Sequence, residues 1–115
     1  MKILLATDGS ENATGAAKLL ARLPQKEPLE LTVIYVSYIP EFHGSRDVVE
    51  WMERSLAAES ERADSVFQHI QNMFAGADAK LECVFLNGQV GKTIIEQAKS
   101  RDIELVVLGA IGHST

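Results

Sequence analysis

Short apolar runs alternate along this chain with stretches in which apolar residues return every three or four positions. Ile3 to Ala6 is the first run, closed by Thr7-Asp8-Gly9-Ser10. Such a run bounded by turn residues predicts a buried parallel strand. Ser10 suits the cap of a following helix, and Glu11 suits the positive end of its dipole. That helix is expected to bury Ala16, Ala17, Leu19, Leu20 and Leu23, and Pro24 ends it. Leu29 to Val36 is rich in β-branched residues between Pro28 and Pro40 and predicts a second strand. After a loop broken by Pro40 and Gly44, the helical period resumes from about Arg46 to Phe74. Its apolar face would carry Val49, Met52, Leu56, Ala63, Val66, Ile70 and Met73, with Gly76 at its end. Trp51, Met52, Phe67, Met73 and Phe74 read as core residues of that helix. Ala79 to Asn87 alternates Leu81, Cys83 and Phe85 with Lys80 and Glu82, a strand with one polar face early on. Val90 to Ser100 is a helix facing inward with Val90, Ile94, Ile95 and Ala98, and Ile103 to Leu108 is the most apolar strand.

The order is therefore β-α-β-α-β-α-β, the pattern of an α/β protein with an open parallel sheet and helices on both faces. Ligands of such sheets bind outside the carboxyl ends of the strands, where the strand order reverses. The residues leaving those ends are Thr7-Asp8-Gly9-Ser10, Val36-Ser37, Asn87-Gly88-Gln89 and Gly109 to Thr115. If the first and last strands are neighbours, Asp8 and Gly109-x-x-Gly112 face each other over one crevice, a carboxylate opposite a loop of bare backbone suited to phosphate. Each piece also has a plain structural reading. Asp8 can close an Asx-type turn, the glycines can punctuate a loop, and His113 can be an exposed loop histidine. Gly88-Gln89-Val90-Gly91-Lys92-Thr93 imitates the end of a Walker motif, but its first glycine is wrongly spaced, so Gly88 is expected to make the turn into the third helix.

Composition narrows the function classes. The chain has 115 residues, 46% of them apolar, which suits one globular domain. The net charge of −5 comes with no basic cluster, which argues against nucleic acid as a partner. Backbone amides can hold a nucleotide without side-chain charge. The single cysteine, Cys83, reads as a small buried hydrophobe compatible with a reducing cytoplasm. Neither a secretory leader nor a membrane-spanning run is visible. His43 and His69 stand apart without metal-ligand spacing, and no Ser-His-Asp or Cys-His arrangement is present.

Three segments, taken together and in order, resemble the universal stress protein family: Ile3 through Glu11; Val84 through Gly88 followed by Ile94, Ile95 and Ala98; and Asp102 through Ser114. The resemblance covers nearly the whole chain. It implies a parallel sheet of order 3-2-1-4-5 and a dimer, with ATP or AMP bound in some members through G-x2-G-x9-G-S/T. On the positions here, Asp8 matches the acidic residue near the adenosine, and Val36 the residue whose backbone meets adenine. Gly109 and Gly112 match the first two glycines, near ribose and phosphates. Thr7, His113 and Ser114 flank these positions and complete the expected nucleotide-binding set. The third glycine, its hydroxyl neighbour, the last helix and the fifth strand would fall beyond Thr115. Residues 1–115 are thus expected to form a single universal-stress-type domain of order 3-2-1-4 without those parts. Ile111 occupies a position where the family often carries a polar or basic residue.

The absent helix would supply the amino terminus that best stabilises phosphate charge, and would help cover the last strand. Leu105, Val106, Val107 and Leu108 would then lie on an open edge able to pair with another chain. A fragment, a truncated product and a partner that supplies the edge all remain open. The reading favoured is a cytoplasmic, homodimeric regulatory protein of the stress response that binds ATP or AMP, with Mg²⁺ as an accompanying ion. Nucleic acid and membrane are not expected as partners. No catalytic residue or metal site is expected, with weak ATP hydrolysis left open. The alternative is a non-nucleotide dimerisation module of the same fold.

Overall fold

Parallel strands cannot be joined by tight turns, so each strand-to-strand connection of this chain carries a helix. The computed structural model describes residues 1–7, 11–22, 27–40 and 43–109, with the backbone alone for 11–14. The elements are β1 (Lys2–Thr7), α1 (Glu11–Arg22), β2 (Leu29–Ser37), α2 (Arg46–Met73), β3 (Ala79–Asn87), α3 (Val90–Ser100) and β4 (Leu105–Gly109). The strands form one sheet in the order β3-β2-β1-β4, every neighbouring pair parallel.

Side-chain alternation splits the core in two. Ile3, Leu5, Leu31, Val33 and Tyr35 point to the face covered by α1 and α2, where they meet Ala17, Leu20, Ala63, Phe67 and Ile70. Leu4, Ala6, Ile34 and Val36 point to the other face and meet Ile94 of α3, with Val90 and Ala98 beside it. β1 and β2 are therefore apolar on both sides, which is why their sequences are continuous rather than alternating. β3 keeps Lys80 and Glu82 exposed, as its early polar alternation predicts.

Three helix faces differ from expectation. Leu19 is 64% exposed and Ile95 is 56% exposed, because each sits one position outside the stripe that meets the sheet. Trp51 is 48% exposed rather than part of the core. α2 buries only Ala63, Phe67 and Ile70, all in its carboxyl half, and its amino half reaches past the sheet. Leu23, the other expected core residue of the first helix, lies outside the described residues.

The helix ends show local chemistry. Gly76, just after α2, has φ +82°, a conformation that a side chain disfavours. After α3, the Asp102 amide donates to the Lys99 carbonyl at 3.4 Å and the Ile103 amide to Ala98 at 3.0 Å. This is the Schellman pattern, with Asp102 at φ 54° in the place glycine usually takes. Ile103 packs against the α3-side core while closing that cap, so β4 begins at Leu105, two residues later than its apolar run suggests. Among the described residues β4 pairs only with β1, and Leu105, Val106 and Leu108 are 44%, 39% and 59% exposed.

Ile34 lies in the central layer at 0% exposure. Ile34→Ala is expected to lower the unfolding free energy by about 2–5 kcal/mol, read as a lower urea midpoint with an unchanged slope.

Candidate functional site at the carboxyl edge of the sheet

Register brings the strand exits together. Thr7 pairs with Tyr35 on one side and Gly109 on the other, and Ser37 pairs with Asn87. Thr7 is fully buried and Gly109 is buried. Val36 directs its side chain into the core with Leu4, Ala6 and Ile94, so its backbone is what it can offer a ligand. Thr7, Val36 and Gly109 thus come to one edge from three adjacent strands. The other expected site residues, Asp8, Gly112, His113 and Ser114, lie outside the described residues.

A side-chain amide holds the segment that leaves β2. The Ile39 amide donates to Asn87 Oδ1 at 2.9 Å, and Asn87 Nδ2 donates back to the Ile39 carbonyl at 3.1 Å. The Ser37 hydroxyl also donates to Asn87 Oδ1, at 2.9 Å. Asn87 imitates a strand neighbour here, extending the hydrogen-bonded ladder past the end of β2. The Gly88 amide continues the same ladder to the Ser37 carbonyl at 2.9 Å. A Cβ on Gly88 would lie 3.0 Å from Thr93 Oγ1, a contact that the Thr93 side chain would have to ease, and Gly88 makes the turn into α3 as its sequence context predicts.

Beside this segment is a cleft of about 540 Å³, bounded by Val36 to Pro40 on one side and by the overhanging part of α2 on the other. From α2 come Trp51, Ser55, Ala58, Glu59 and Arg62, spaced so that they share one helical stripe. The Tyr35 hydroxyl, whose ring is 2% exposed, donates to Glu59 Oε2 at 2.8 Å. Arg62 Nη1 lies 3.0 Å from Glu59 Oε1. A phenol, a carboxylate and a guanidinium therefore form a connected polar floor under exposed aromatic walls.

The remaining chemistry is dispersed. A smaller cleft of about 300 Å³ opens at the amino end of the strands, where Lys2, Glu30 and Lys80 share one register row. Its signs are mixed, and Arg101 closes on Glu82 at 2.7 Å. Cys83 faces α2, where Gln71 Nε2 donates to its sulfur at 3.6 Å. Burial pushes its thiol up from the usual range; the Gln71 hydrogen bond opposes this and Glu82 adds to it. Among the described residues no helix is long and apolar enough to cross a membrane.

The sequence reading names Asn87 only as a residue leaving the third strand, singles out neither Tyr38, Glu59 nor Arg62 as lining a cleft, and assigns Trp51 to the core. Ser55 and Ala58, small residues on the stripe between Trp51 and Glu59, were the available sign of a hollow on that face. The Asn87 bridge left no comparable sign, because it joins residues 48 positions apart.

The model of the universal stress protein family matches residues 1–115. The chain is 30% identical to the universal stress protein Sll1388 of Synechocystis, over 96% of its own length and 79% of that protein's. Its fold matches that of the universal stress protein UspA from Lactobacillus plantarum with a TM-score of 0.84 at 27% identity, over all of this chain and 80% of that one. It also matches an Arabidopsis thaliana universal stress protein family structure with AMP bound, with a TM-score of 0.68 over all of this chain and 80% of that one. At 14% identity that last likeness is one of fold.

Asn87→Ala is expected to raise the hydrogen-exchange rate of the Ile39 amide at least about ten-fold, since a free amide exchanges without an opening step. For Cys83, alkylation at pH 8 should be slower than that of a free thiol. The rate should climb only as pH passes above the ordinary thiol range, because the raised pKa keeps the thiolate fraction low.

Proposed function

The chain belongs to the universal stress protein family, and we propose that it binds an adenine nucleotide, ATP or AMP, across the carboxyl ends of β1, β2 and β4. The observation that carries this reading is the register row in which Thr7 stands between Tyr35 and Gly109. A nucleotide laid over that row has the Val36 backbone at its base end and the Gly109 loop at its phosphate end. In this reading Asp8 binds the adenosine portion, and Gly112, His113 and Ser114 serve the phosphates. The AMP bound by the Arabidopsis family structure supports the choice of ligand.

The role is regulatory and non-catalytic, in a cytoplasmic homodimer responding to stress, with residues 1–115 as one domain. Mg²⁺ accompanies the triphosphate. Calorimetric titration with ATP and AMP, with and without Mg²⁺, should give saturable heat that Asp8→Ala weakens at least about ten-fold, the loss of one charge-assisted contact. Absence of heat at millimolar nucleotide would reject the reading.

One observation favours the second reading, a dimerisation module without nucleotide. β4 has an edge unpaired among the described residues, with Leu105, Val106 and Leu108 exposed on it. A module of that kind sediments as a dimer at micromolar concentration and gives no heat with nucleotide; a clean monomer removes its support.

A further inference from the structure

We propose that Asn87-Gly88 is a self-deamidation site held shut by the exit of β2, and that its hydrolysis releases that segment in one direction only. The site stands apart from the nucleotide reading above.

The pair carries its own reaction. Asn87 is the only asparagine of the chain that is followed by glycine. The Gly88 nitrogen can attack the Asn87 side-chain carbon Cγ, because glycine has no Cβ to crowd the approach. The new N–C bond closes a five-membered succinimide ring. The nitrogen gives up its proton, and the side-chain amide leaves as ammonia. Water then opens the ring at either of its carbonyls. One product is aspartate. The other is isoaspartate, in which the main chain runs through the former side-chain carbon. Water is the only co-reactant.

The fold stops this reaction at its first step. Asn87 is exposed, so burial is not the obstacle. Asn87 is the last residue of β3, and its extended backbone turns the Gly88 nitrogen away from Cγ. The N–H that must lose its proton donates to the Ser37 carbonyl at 2.9 Å. Three bonds fix the side chain that would be attacked: Oδ1 accepts from the Ile39 amide and from the Ser37 hydroxyl, each at 2.9 Å, and Nδ2 donates to the Ile39 carbonyl at 3.1 Å. Nucleophile and target are thus held by one segment, Ser37 to Ile39. Ring closure requires that segment to lift first. The folded rate is therefore the rate in the free chain scaled by the population of the lifted state.

Either product keeps the segment from closing again. An aspartate at position 87 still accepts from the Ile39 amide. It has no N–H for the Ile39 carbonyl, and it sets a negative charge against that oxygen. Isoaspartate adds a carbon to the main chain ahead of Gly88, which moves the Gly88 amide off the Ser37 carbonyl. Tyr38, Ile39 and Pro40 line the cleft beside α2, so its strand-exit wall is loosened by a change in one side chain.

The experiment incubates the protein at mildly alkaline pH, folded and in guanidinium chloride, and follows conversion of Asn87 by peptide mass mapping. Conversion is expected in guanidinium, and at least about ten-fold more slowly in the folded protein, as for a group that reacts only after local opening. Ser37→Ala deletes one side-chain bond at a buried position. It should speed folded conversion about two- to ten-fold, the worth of one hydrogen bond, with the rate in guanidinium unchanged. Ile70→Val weakens the core away from the segment and should leave the folded rate unchanged, because the lifting is local. In Asn87→Asp, which stands for the aspartate product, the Ile39 amide should exchange faster than in the unaltered chain. Equal rates folded and in guanidinium, no conversion in guanidinium, a folded rate unmoved by Ser37→Ala or raised by Ile70→Val, or unchanged Ile39 exchange in Asn87→Asp would each overturn the proposal.

Discussion

Burial of β1 on both faces is the constraint from which the rest of the molecule follows. Leu4, Leu5 and Ala6 have no exposed surface, and the strand is paired along both of its edges, by β2 and by β4. A parallel strand in that position needs a helix layer above and another below. α1 and α2 make one layer and α3 the other. Because all the pairs are parallel, all the strands end on the same side. The residues that leave the strands, Gly88 and Gly109 among them, therefore gather at one edge, whatever their separation in sequence. The site is thus a product of topology before it is a product of any particular side chain.

Elements governed by local pattern were legible in the sequence. β3 and α3 begin and end where their patterns predict, and β1 and β2 differ by a residue at their ends. Helix faces were less legible. Leu19 and Ile95 satisfy helical spacing as well as their buried neighbours do, and only the position of the sheet turns them outward. Trp51 belongs to a helix whose period suggests a core residue, yet the sheet stops before reaching it. The start of β4 was hidden for another reason. Ile103 is apolar enough for a strand, but the α3 cap claims its amide.

The site divides along the same line. That Thr7, Val36 and Gly109 come to one edge could be foreseen from sequence, because they are strand ends and strand ends in a parallel sheet meet. Asn87 and Glu59 act through hydrogen bonds to Ile39 and Tyr35, partners that become neighbours only when β2 has β3 beside it and α2 above it. Such contacts have no period and leave no trace in composition. The exposed apolar residues of β4 mark a different boundary, since they lie on an edge where another strand could add without disturbing the core.

α2 combines two thermodynamic regimes in one element. Its carboxyl half is anchored by Ala63, Phe67 and Ile70, while its amino half holds no buried residue among those described. A helical stretch with so little packing is near the length at which helices in water are marginal, about 12–15 residues. It should open locally at a free energy well below that of the whole domain. Yet Glu59, held by Tyr35, stands close to where the two halves join. The cleft therefore has one firm wall, made by the strand exits, and one compliant wall, made by a helix that can fray without loosening the core. Whatever settles there must supply ordering free energy to that wall, so occupancy would be sensed as the stiffening of a helix whose other end is built into the fold.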